Sequence, residues 1–109
     1  MTDDEATPLL DTLAAMTAAS VVESDLDPAA LMLVRLAALV AVDAPEASYL
    51  LNFGPAAEVG LTLEHARAVL IAVAPIVGAP RVLSATGKMV NALGLALAIE
   101  EAMLEADEG

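Results

Sequence analysis

The stretch from Thr62 to Glu105 constrains this chain most, because it reads as two apolar helices joined through Gly78-Ala79-Pro80. Thr62 suits an N-cap, and Glu64 places negative charge at the positive end of the first helix. Leu63, Ala66, Leu70, Val73 and Val77 recur at helical spacing and form one apolar stripe. Gly78 can take the left-handed C′ conformation that ends a helix, and Pro80, lacking an N–H, suits the first turn of the next. The spacing therefore predicts a hairpin whose second arm runs to about Glu105, with a kink in the first arm at Pro75.

Burying such arms requires apolar partners, and the composition supplies an excess of them. Apolar residues make up 59% of the 109 residues, against roughly 45–50% in ordinary globular chains. The only aromatic residues are Tyr49 and Phe53, so small aliphatic side chains must fill the interior. The pattern predicts an all-α fold, a small bundle of five to six helices. A domain of this size cannot hide every face of so many apolar helices within itself. The expected solution is an obligate homo-oligomer, with contacts resembling a core cut in half. Residues 7–105 form the single expected helical domain, between acidic tails at 1–6 and 106–109.

Charge and cysteine content exclude several functions. Sixteen acidic residues against 4 basic give a net charge of −12, which repels nucleic acid and anionic membranes. With no cysteine in the chain, disulfides, thiolate nucleophiles and thiolate metal sites are excluded. The opening MTDDEATPLL is acidic, unlike a secretory or transit peptide. The longest unbroken apolar run, Ala68 to Pro80, falls short of the ~18–20 residues of a membrane span. The expected location is the cytoplasm, without a membrane or nucleic-acid partner.

Further signals punctuate the chain. Thr7-Pro8 and Asp27-Pro28 each read as a cap followed by a helix-opening proline. Leu9, Leu13, Met16 and Ser20 share a face of the first helix. In the connector Val21–Asp27, the alternating Glu23, Asp25 and Asp27 could hold a divalent cation. No calcium-loop pattern follows, so the stretch reads as a solvated acidic loop and no metal site is assigned. Arg35, alone on an apolar helix, needs a carboxylate partner or a route to solvent. Asp43-Ala44-Pro45 ends that helix, and Gly54-Pro55 should bend or stop the next one. Gly60 supplies a stop before Thr62.

One coherent polar stripe stands out. Arg81, Ser84, Lys88 and Asn91 recur at three, four and three residues and project from one helix face. They could bind a small carboxylate or phosphate, or form a solvated face that pairs with surplus acids.

The order of signals resembles the carboxymuconolactone decarboxylase and alkyl hydroperoxidase D family. The matching parts are the Asp27-Pro28 helix with Arg35-Leu36-Ala37-Ala38-Leu39, then Ala56-Ala57-Glu58-Val59-Gly60-Leu61-Thr62. Glu64, Ala68-Val69-Leu70 and the Gly78-Ala79-Pro80 turn follow, so the likeness spans about Asp27 to Glu105. It implies an alkyl hydroperoxidase D-like helical fold assembling as a homotrimer or homohexamer. The family's redox members carry a Cys-x-x-Cys pair, a His and a Glu. Here these positions fall on Pro45 and Ser48, on Asn52 and near Leu33, so peroxidase or disulfide reductase chemistry is impossible.

Two readings remain. The first is a non-redox homo-oligomeric binding or structural protein, its pocket lined by Ser48, Tyr49, Asn52 and Lys88. The second is a cofactor-free lyase or isomerase acting on a small carboxylate or lactone. There Arg81 or Lys88 would hold the anion, with Ser84 beside them and His65 as the base. Neither needs a cofactor. An open polar cavity around Ser48 and Asn52 would favour ligand chemistry, whereas Leu and Val packed over both would remove the enzyme reading.

Overall fold

The computed structural model describes residues 3–108, with the side chains of residues 7–107. Five helices follow one another: α1 (Asp3–Glu23), α2 (Pro28–Ala41), α3 (Glu46–Glu58), α4 (Leu63–Val77) and α5 (Ala79–Glu108). No strand occurs among the described residues.

The punctuation signals act as read in several places. Asp27 caps α2, its Oδ1 accepting the Ala30 N–H at 2.9 Å, with Pro28 opening the helix. Gly60 and Gly78 both take positive φ, 85° and 86°, where a side chain would be strained. Gly78 is the whole link between α4 and α5, and its ψ of 159° makes the backbone extended rather than left-handed helical.

Other boundaries move. Asp3 to Ala6 belong to α1, and residues 106–108 continue α5, so neither forms a separate tail; Met1, Thr2 and Gly109 lie outside the described residues. α1 also extends through Glu23, which shortens the acidic connector. Pro55 does not stop α3, nor does Pro75 interrupt α4. Both prolines lie in the final turn of their helices, where the forfeited N–H bond is followed by few others.

The core is small. Val40, Ala44, Tyr49, Ala85, Met89 and Ala92 form its buried cluster, with Leu36, Phe53, Leu70 and Val73 packed around it. The main partner of α4 is α2, and that of α5 is α3. The expected hairpin arms thus touch, but each is seated chiefly against an earlier helix. Ala85 and Ala92 lie almost wholly buried on α5, where a methyl side chain lets two helix backbones approach closely.

α1 stands apart from this core. All its described side chains through Glu23 are exposed, and Arg35 of α2 ties it to the bundle by side-chain hydrogen bonds. The guanidinium donates to Ser20 Oγ at 3.1 Å and to the Thr17 carbonyl at 3.5 Å. Of the two expected outcomes, a carboxylate partner or a route to solvent, Arg35 takes the second within its own chain, its guanidinium meeting hydroxyl and carbonyl oxygens in exposed hydrogen bonds. At its other end the chain shows a second extended element. Ala79–Asp107 is long and apolar enough to cross a membrane, which no single run of the sequence indicated. Core helices of water-soluble proteins share that property.

Candidate functional site

A cleft of about 420 Å³ opens between α2, α3, the start of α4 and the second half of α5. That volume is within the range of small-molecule sites. Its walls are mainly apolar, with Met32 and Leu36 from α2, Phe53 from α3, Leu61 from the α3–α4 link, and Leu93 and Leu97 from α5. Tyr49, Asn52, Thr62, His65 and Glu100 also line it. On α5 the wall residues Leu93, Ala96, Leu97 and Glu100 are spaced by three, four and seven, one helix face directed at the cleft.

The polar groups are already partly committed. Asn52 Nδ2 donates to the Ser48 carbonyl at 2.7 Å, leaving its second N–H and its carbonyl oxygen for other partners. At the start of α4, Thr62 Oγ1 accepts the His65 N–H at 3.4 Å, while the Thr62 N–H donates to His65 Nδ1 at 3.0 Å. The two residues form a reciprocal capping box, with imidazole in the place usually held by Glu or Gln. Because Nδ1 accepts the backbone proton, neutral His65 carries its own proton on Nε2. His65 therefore offers the cleft an N–H donor, the opposite of the general base expected.

Tyr49 belongs to the core. Its side chain is wholly buried among Val40, Ala44 and Met89, with the ring reaching the cleft wall. The hydroxyl has no hydrogen-bond partner among the described residues. Burial raises the phenol pKa, and the negative charge of Asp43 raises it further.

The stripe on α5 lies elsewhere and has an internal ligand. Ser84 Oγ donates to Asp43 Oδ1 at 2.8 Å, and Lys88 Nζ donates to the same oxygen at 2.9 Å. Lys88 also donates to the Ala44 carbonyl at 2.9 Å, and Arg81 donates to the Ala41 carbonyl. Cations thus meet carbonyls at the C-terminal end of α2, where the helix dipole is negative. Asp43 has φ 53°, a left-handed conformation that Asp tolerates better than most residues. The Lys88 hydrogen bond, followed by that from Ser84, holds its carboxyl below the usual carboxylate range. Asn91, last in the stripe, stays exposed.

The structure therefore brings Asn52, Tyr49 and His65 to one cleft and sends Arg81, Ser84 and Lys88 to an ion-paired turn. Ser48 stands one turn back on α3 and contributes its carbonyl to Asn52. The polar cleft residues that sequence reading missed are Thr62 and Glu100, and it assigned none of the apolar wall, although the three–four–seven spacing from Leu93 to Glu100 was visible. Among the described residues, no three of His, Asp and Glu converge to hold a metal ion, Glu23, Asp25 and Asp27 included. The chain matches no protein-family model, no curated protein and no solved structure.

Proposed function

We propose that the chain is a non-redox binding protein, a self-associating helical subunit whose cleft takes a small, uncharged, mostly apolar molecule bearing one hydrogen-bond acceptor. The cleft itself carries the reading: about 420 Å³ of mostly apolar space with Asn52 and His65 able to donate. An uncharged ligand fits better than a carboxylate. Glu100 lines the cleft, the chain carries a net charge of −12, and both Arg81 and Lys88 are engaged at the α2 end. The same engagement weighs against the lyase or isomerase alternative, which needs a cation beside a basic imidazole. The sequence likeness to the carboxymuconolactone decarboxylase and alkyl hydroperoxidase D family supports the same reading, as a cysteine-less relative; its Asp27, Thr62 and Gly78 signals are helix boundaries here.

Isothermal titration with a medium-chain γ-lactone, an apolar tail with one carbonyl acceptor, tests the proposal. Saturable binding is expected, and Ala96→Phe, which fills the cleft from α5, should weaken it at least tenfold. Exposed Val90→Phe, outside the cleft, should leave it unchanged. Equal affinity in all three proteins, or no saturable heat, overturns the reading.

A further inference from the structure

The chain exposes more surface than a compact protein of its mass. A folded monomer of 11.0 kDa is expected to expose roughly 5,600 Å², whereas this one exposes 7533 Å². Its radius of gyration is 15.6 Å against roughly 13 Å expected. The excess, roughly 1,900 Å² per chain, is of the size that each partner hides in a large obligate dimer interface.

Two helix faces contribute spaced apolar side chains to that surface. Along α5, Ala85, Met89, Ala92, Ala96, Ile99 and Met103 follow alternating spacings of four and three, the seam of a two-helix coiled coil. The first three are buried against the core, yet Ile99 is 46% exposed and Met103 65%. The same seam has thus run past the end of the bundle. On α1, Leu9, Leu13, Met16 and Ser20 repeat the four–three–four spacing, and the first three of these are about half exposed or more.

We infer that these faces form one interface between two copies of this chain, with α1 of one copy lying along the distal half of α5 of the other. The inference names the surfaces of the self-association proposed above and rests on that part of the reading alone. Charge selects the pairing. The distal half of α5 bears Glu100, Glu101, Glu105 and Asp107 with no base in its last turn, so two such segments side by side repel. Between Leu9 and Val22, α1 carries a single charge, Asp11. Length agrees too: residues 9–22 and 93–107 each cover roughly 21–23 Å of helix. Exchange of α1 gives up little burial, since none of its described side chains is buried in its own chain, but it requires release of the Arg35 bonds to Thr17 and Ser20.

Light-scattering mass and engineered thiols test this, and the cysteine-free background makes any disulfide unambiguous. Wild type should be a dimer or higher at micromolar concentration. Leu13→Cys and Ile99→Cys chains, mixed and oxidised, should give the mixed cross-link in at least fivefold excess over either like pair, while Ile99→Glu with Met103→Glu should halve the mass or more. These two side chains are exposed in the isolated chain, so the double variant should keep its helical circular dichroism. A monomeric wild type overturns self-association and the interface together, leaving the ligand cleft standing. An oligomer without the mixed cross-link, or with like pairs dominant, overturns the interface alone. Sedimentation of wild type with neutral phosphatidylcholine vesicles, abolished by the double variant, assigns the α5 face to a bilayer and likewise overturns the inference.

Discussion

The two halves of α5 share one helix and one seam, yet they carry charge of opposite sign and meet different surroundings. In the proximal half, Ala85, Met89 and Ala92 are buried, Arg81 and Lys88 hold the end of α2, and α3 covers the face. In the distal half, Ile99 and Met103 on the same seam face outward, and the flanking acids have no cation beside them in sequence. Helical periodicity reports which residues share a face. What covers that face depends on where the other helices end.

The sharpest way to break the comparison is to truncate the same residue type in each half. Met89→Ala, at 8% exposure, should cost about 3 kcal/mol in urea unfolding at submicromolar concentration. Met103→Ala, at 65% exposure, should cost less than about 0.5 kcal/mol under the same conditions. Equal costs would mean that the distal seam is already covered within one chain. A cost for Met103→Ala that grows with protein concentration would place its cover in a second copy.

A smaller effect probes the outer face, where the halves should behave alike. A Cβ added at Gly87 or Gly94 meets nothing within 4 Å. Gly87→Ala and Gly94→Ala should each stabilise the chain by about 0.5–1 kcal/mol in thermal unfolding, through lower backbone entropy in the unfolded state. A loss at Gly94→Ala alone would reveal close packing against that face.

The smallest effect concerns the proximal polar anchor. Folding lowers the Asp43 pKa, chiefly through Lys88 and then Ser84. Its stabilisation is therefore complete above the unfolded-state value, about 4, and disappears as pH falls through the lower folded value. The gap in melting temperature between wild type and Asp43→Asn should be constant from neutral pH to about pH 5, then close under stronger acid. A gap that persists at the most acidic pH would assign the effect to backbone conformation at Asp43.

Local chemistry made part of this fold legible. Asp27-Pro28, Gly60-Leu61-Thr62 and Gly78-Ala79-Pro80 each act within a few residues, and each marks a helix boundary in the structure. Pro55 misled because a proline warns of a broken bond without telling how many helical residues follow. The candidate site was legible in fragments. Asn52 and His65 lie where ligand contacts were sought, but the capping role that sets the His65 tautomer depends on the rotamers of two residues. The stripe from Arg81 to Lys88 was correctly placed on one face, while its partner Asp43, legible only as part of a helix end, is remote in sequence.

The single-residue joint at Gly78 gives α5 the character of a long pointer. Thirty residues of helix reach roughly 45 Å, so a swing of about 10° at the joint would carry the far tip roughly 8 Å. Against that leverage, Arg81 and Lys88 act like a hand closed near the pivot. Loosening their grip on the end of α2 should spread the aim of the tip, even though neither residue lies near it.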